Sequence, residues 1–225
     1  MNSNYKVLKF KSKNLREVDD QVSIEEPLEI IIKYKEKENW IENTISITMR
    51  TPGDDEDLVR GFLFNERVIE KIDYIESIEL AGEPVGKYKL KNKAVVTINN
   101  SENIDIDKIK RNFLTNSSCG VCGKTSLDSL EIIKKDKIVK SFPKIKYETI
   151  MKSPNMLRQN QSEFSKTGGI HASGLFKFSG DIIAVKEDVG RHNALDKLIG
   201  FVLKKELLDN SSQFLTCSGR LNFDL

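Results

Sequence analysis

Apolar positions along the chain fall into two periods. Residues 28–34 form a β-rich run, and Ile45, Ile47 and Met49 alternate with polar neighbours as a half-buried strand does. The charged stretch 35–39 reads as their connection. The first twenty residues are polar and charged and read as a frayed or edge segment. Thr51-Pro52-Gly53-Asp54-Asp55-Glu56-Asp57 then opens a helix, because acidic residues suit its positive N-terminal end. Leu58, Phe62 and Leu63 follow at helical spacing. Segments 75–80, 88–90 and 94–98 read as further strands, and 104–114 as a short helix.

Beyond a loop at 115–124 the pattern changes. A helix is expected at 126–133, and Ser153-Pro154 offers a cap and first-turn proline for another reaching about residue 164. Thr167-Gly168-Gly169 precedes a strand at 172–178, a Ser179-Gly180-Asp181 turn and a strand at 182–186. Leu195, Leu198, Ile199, Val202 and Leu203 trace the apolar stripe of a helix. Residues 214–217 read as a last strand, and Ser218 can cap one more helix. Strands dominate before the loop; β and α alternate after it. The expected architecture is an α+β N-terminal domain (1–114), a cysteine loop (115–125) and a sandwiched, three-layer α/β domain (126–225).

Composition narrows the classes. The 225 residues suit one large domain or two small ones. Charged residues reach 31%, yet 36 basic side chains nearly cancel 34 acidic ones, and the net charge of +2 gives no support for charge-driven nucleic-acid binding. No apolar run approaches the ~18 residues of a membrane span, and the N-terminus has no signal-peptide stretch. The sequence therefore reads as cytoplasmic, with neither membrane nor nucleic acid as partner. Three cysteines, two of them spaced C-x-x-C, suggest nucleophile, metal or redox chemistry in a reducing compartment rather than a disulfide scaffold.

Four segments carry candidate chemistry. Cys119 and Cys122 lie in Ser118-Cys119-Gly120-Val121-Cys122-Gly123, where glycines make the loop pliable. Lys124 and a following helix N-terminus favour thiolate; lowering a thiol pKa from ~8.5 to ~7 raises the ionised fraction at pH ~7.5 from roughly 10% to roughly 75%. Four readings stand open: a persulfide carrier or nucleophile, half of a zinc site, a redox pair, or an inert loop. A zinc site lacks a second C-x-x-C or paired histidines, leaving only His171, His192 and Cys217 as distant ligands. In Thr167-Gly168-Gly169-Ile170-His171 the glycines permit close backbone approach to a ligand, or form an ordinary turn. In Glu187-Asp188-Val189-Gly190-Arg191-His192-Asn193, residues Arg191, His192 and Asn193 fall at a helix N-terminus suited to anions; the competing reading is a cap and a solvated arginine. Ser218-Gly219-Arg220 offers a hydroxyl, a glycine and a guanidinium at a strand end, with Cys217 read as a core residue.

Together these segments resemble the formate dehydrogenase accessory sulfurtransferase family, FdhD. The likeness also includes Thr51-Pro52-Gly53, Asp57-Leu58-Val59-Arg60-Gly61-Phe62-Leu63 and the continuation Ala194-Leu195-Asp196-Lys197, spread in family order over about residues 45–220. It implies a carrier that takes persulfide sulfur from a cysteine desulfurase. The sulfur goes to the molybdenum bis(molybdopterin guanine dinucleotide) cofactor as client, for formate dehydrogenase. It implies Cys119 as the carrier with Cys122 beside it, and no metal ion held by the protein itself. The residues themselves place the phosphates of the cofactor's guanine-nucleotide moiety near Arg191, His192 and Asn193, facing Gly168, Gly169 and His171, with Ser218, Gly219 and Arg220 as further cofactor-binding candidates. The resemblance further implies a cytidine deaminase-like C-terminal domain and a homodimer. The family pattern continues past Ser218-Gly219-Arg220 with elements this sequence lacks, so weakened stability or cofactor binding is expected of the chain. Two other classes are a zinc-dependent nucleobase deaminase and a non-catalytic cofactor chaperone. Against the deaminase, no glutamate follows His171 and no proline precedes Cys119.

Overall fold

The computed structural model describes residues 1–11, 13–84, 86–99, 104, 145–209 and 212–220. The cysteine loop with Cys119 and Cys122, the helix expected at 126–133 and all but the first residue of that expected at 104–114 lie outside the described residues.

The first strands are β1 (Asn2–Lys11) and β2 (Asn14–Ser23), a hairpin in unbroken antiparallel register. The expected frayed segment is therefore regular. Its strands pair over ten antiparallel positions and stay mostly exposed, with ion pairs from Lys6 to Glu17 and Lys9 to Asp20, both at 3.1 Å, on the surface.

Next come β3 (Glu26–Glu36), β4 (Asn39–Arg50), α1 (Asp55–Asn65), β5 (Ile75–Ala81) and β6 (Lys93–Ile98). The four strands form one sheet in the order β4-β3-β6-β5, with β3 parallel to β6. Alternate residues of β3 (Leu28, Ile30, Ile32, Tyr34) are buried in one core with Leu58, Val59 and Leu63 of α1. The connection expected at 35–39 shrinks to Lys37-Glu38, with Lys37 at φ 56°. No strand forms over 88–90. Positive φ at Gly86 and Lys89 turns the chain there, and Lys87 lies over the Tyr88 ring. The fully buried Arg50 ties the start of α1 to β3. It donates twice to Asp55 (3.0 and 2.9 Å) and to the carbonyls of Glu26 and Pro27.

The C-terminal part comprises α2 (Tyr147–Gln159), α3 (Ser162–Thr167), β7 (His171–Lys177), β8 (Ile182–Asp188), α4 (Arg191–Lys204) and β9 (Gln213–Cys217). Helix α2 starts well before Ser153-Pro154, so that pair lies inside the helix and is not its cap. The Ser153 hydroxyl donates to the Ile150 carbonyl, and burial of Leu157 against the sheet outweighs the proline's cost. The helix stops at Asn160, short of residue 164.

Strand β7 sits between β8 and β9 and is antiparallel to both. Strands β8 and β9 therefore run in the same direction, joined by α4. One face of the sheet packs Ala172 and Phe176 on Leu157 of α2; the other packs Leu175 on Leu198 and Val202 of α4. These are the three layers expected. They establish a mixed α/β fold and do not by themselves carry the likeness to cytidine deaminases. Helix α4 also crosses α1 at two glycines. A Cβ on Gly61 would run into the Asp196 carbonyl, and one on Gly200 into the Asp57 carbonyl.

Candidate functional site

The topology brings three of the sequence segments to one end of the C-terminal sheet. His171 begins β7, Asp188 ends β8, and Ser218-Gly219-Arg220 follow the end of β9. Because β8 and β9 are parallel, their carboxyl ends and the start of α4 open on the same side, a common place for ligands in α/β sheets. Gly219 lies between the other two segments. A Cβ there would stand 3.3 Å from His171 Nδ1 and 3.5 Å from the Arg191 Cβ. His171, Arg191 and His192 are half-buried, while Gly168, Gly169, Ser218 and Arg220 are exposed.

Helix α4 begins at Arg191 after Gly190 in extended conformation. Its first hydrogen bond runs from the Ala194 N–H to the Gly190 carbonyl, so Arg191, His192 and Asn193 form the first turn, where backbone N–H groups point out along the helix axis. That terminus and the guanidinium beside it suit an oxyanion.

Several candidate side chains turn out to be committed inward. Asn193 is buried; its Nδ2 donates to the Met49 carbonyl at 2.7 Å and to Asp188 at 3.1 Å, and its Oδ1 accepts from Thr48. Only its backbone N–H remains for a ligand. Ser218 extends the ladder: its N–H donates to the Ala172 carbonyl, and its Oγ accepts from the Ala172 N–H, both at 2.9 Å. Gly168 closes α3 at φ 68°, its N–H donating to the Phe164 carbonyl. The space beside Gly168 and Gly169 is open. Gly190 clears room for a side chain rather than a ligand, since a Cβ there would crowd the Asn193 amide at 3.0 Å. Cys217 is half-buried at the strand edge, with the Ser173 hydroxyl donating to its Sγ.

The carboxylate pair preceding Gly190 is also structural. Glu187 accepts from the backbone N–H groups of Glu163 and Phe164, both at 2.9 Å, and so caps α3. Asp188 is fully buried and pairs with Lys197 at 2.7 Å. It accepts from the Gly190 and Thr51 N–H groups as well. Lys197 in turn donates to the Thr51 carbonyl at 2.7 Å. Sequence reasoning assigned no site role to Thr51, Asp188 or Lys197. An ionisable pair nine residues apart around a glycine was the one visible signal.

One turn further along α4, Asp196 is buried at the α1 crossing. Loss of water pushes its pKa up to about 8; the hydrogen bond from Asn65 opposes the shift, and the nearby charges of Glu66 and Asp188 add to it. Among the described residues no group of three His, Cys, Asp or Glu side chains is placed to hold a metal ion. Among the same residues no helix is long and apolar enough to cross a membrane.

The arrangement defines a mixed α/β protein whose C-terminal sheet gathers His171, Gly219 and Arg191 at one end. A crystal structure of a Desulfotalea psychrophila protein described as a formate dehydrogenase accessory protein shares that fold. Its TM-score is 0.66 at 22% identity, over 98% of this chain and 76% of the other. Residues 23–225 match the FdhD/NarQ family, and the chain belongs to it. The sulfur carrier protein FdhD of Picrophilus torridus is 42% identical over 209 residues, 92% of this chain and 73% of the relative. Those of Sulfolobus acidocaldarius and Streptomyces coelicolor are 36% and 38% identical, covering 98% of this chain and 77% and 76% of their own lengths.

Proposed function

We propose that the chain is a sulfur carrier for the molybdenum bis(molybdopterin guanine dinucleotide) cofactor of formate dehydrogenase. Cys119 accepts the sulfur. Its thiolate attacks the outer sulfur of a desulfurase persulfide; the donor S–S bond breaks, the donor cysteine leaves as thiolate, and a Cys119 persulfide results. Cys122, three positions on, is the neighbouring thiol. The client cofactor's phosphates sit at the start of α4, with Arg191, the first-turn amides of His192 and Asn193, and His171 around them. Gly168, Gly169, Ser218, Gly219 and Arg220 border the same opening. The carrier acts as a homodimer in the cytoplasm, and its partners are a cysteine desulfurase and formate dehydrogenase.

The single observation that carries this reading is the meeting of His171, Gly219 and Arg191 at the start of α4, in a chain whose relatives are named sulfur carriers. Intact-protein mass after incubation with a desulfurase and cysteine tests the carrier step. The wild type and Cys217→Ala should gain one sulfur, and Cys119→Ala should gain none. Unchanged loading of Cys119→Ala would refute the assignment of the sulfur to Cys119, and absence of loading in the wild type would leave a cofactor-binding chaperone.

A further inference from the structure

We infer that Thr51, at the end of β4 in the N-terminal half, is a positioning residue for the phosphate-binding start of α4. Every polar atom of Thr51 is spent on that junction, more than 130 positions away in sequence. Its N–H donates to Asp188 Oδ2 at 3.1 Å, its Oγ1 accepts from the Val189 N–H at 3.1 Å, and its carbonyl accepts from Lys197 at 2.7 Å. The residue is 3% exposed. Two further bonds from β4 reach the same turn, from Asn193 to the Met49 carbonyl and from Thr48 to Asn193.

The consequence follows from the geometry of the turn. Val189-Gly190 leads directly into the helix amides that would face the anion, and the turn is too short to hold itself. Asp188 fixes it from within through the Gly190 N–H. Thr51 fixes it from outside through the Val189 N–H. A drift of an ångström at Val189 moves the amides of Arg191 and His192 together, and charge-assisted hydrogen bonds lose strength steeply with such misplacement. The anion site thus belongs to both halves of the chain, although every residue that would touch the anion lies in the C-terminal half. Pro52 and Gly53 then carry the chain away into α1, which leaves Thr51, directly after β4, as the last residue before α1 bonded to the turn.

This inference rests on the phosphate reading given above, and its test separates the two. Thr51→Val removes the hydroxyl at nearly constant shape, and Thr51→Ser restores it. Guanosine diphosphate affinity is measured by calorimetry, and backbone amide exchange is followed without ligand. Thr51→Val should weaken binding about three- to tenfold and speed exchange at residues 189–192. Exchange in β3 and β6 should stay at the wild-type rate. Thr51→Ser should return both readouts to within about twofold. Thr44→Val, which removes another β4 hydroxyl bond (to Glu29), should bind as the wild type does. If the wild type binds and Thr51→Val matches its affinity, the Thr51 bond is merely structural and the inference is overturned alone. If the wild type does not bind guanosine diphosphate, the phosphate reading falls and takes this inference with it.

Discussion

Replacing Lys197 by Met should destabilise the fold by about 3 kcal/mol. The ammonium is 2% exposed and Asp188 is fully buried; they meet at 2.7 Å. Met fills nearly the same volume, so little cavity forms. What changes is that the Asp188 carboxylate keeps its N–H donors, Thr51, Gly190 and Asn193, but loses its counter-charge. Breaking one side of a buried pair costs about 3–5 kcal/mol, and the surviving donors place this site at the low end. The loss of the bond to the Thr51 carbonyl adds to it. For a chain of this size each kcal/mol moves Tm by about 2–4 °C, so the melting point should fall by about 6–12 °C, followed by circular dichroism. The double variant Asp188→Asn/Lys197→Met should lose less than the sum of the single changes, because no charge is then left alone. A Lys197→Met protein melting within about 2 °C of wild type would show that solvent reaches the pair and would refute the reasoning.

Stability should fall as pH rises from about 4 to about 8. Asp196 holds its proton in the folded state up to about 8, whereas its ordinary value is 3.8. The unfolded chain therefore releases the proton first, at a slope of about 1.4 kcal/mol per pH unit. Asp196→Asn should flatten that slope in urea unfolding, and an unchanged slope would show that another group is responsible. Gly200→Ala gains about 1 kcal/mol of helix propensity but drives a methyl into the Asp57 carbonyl and the Gly61 nitrogen. A net loss of about 1–3 kcal/mol is expected, and a more stable variant in denaturant melts would show that α1 and α4 can move apart freely. Arg191→Ala should weaken guanosine diphosphate binding about 10- to 150-fold and reduce its salt dependence, while Lys204→Ala at the far end of α4 binds normally. Equal affinity by calorimetry would make Arg191 a surface residue only.

Strongly periodic elements were legible in the chain itself. The stripe from Leu195 to Leu203 became α4, and the β-rich run at 28–34 became β3. These depend only on which side chains must leave water together, and spacing along the chain encodes that. The hairpin of β1 and β2 was hidden because most of its residues stay exposed and charged, so no buried face sets an alternation. The start of α2 was misplaced because Pro154, usually a first-turn residue, is overruled by the burial of Leu157.

For the candidate site, sequence alone marked the segments that the fold brings to one end of the C-terminal sheet and placed Arg191 at the start of a helix. It could not show that Asn193, Ser218 and the carboxylates of Glu187 and Asp188 point inward, or that Thr51 reaches across to Val189. A hydrogen bond between residues about 140 positions apart leaves no local period. Its direction is set only when β7 lies between β8 and β9 and α4 closes on the glycines of α1. The sequence determined which chemistry is available, and the tertiary structure decided which polar groups are consumed in internal hydrogen bonds between elements far apart in the chain.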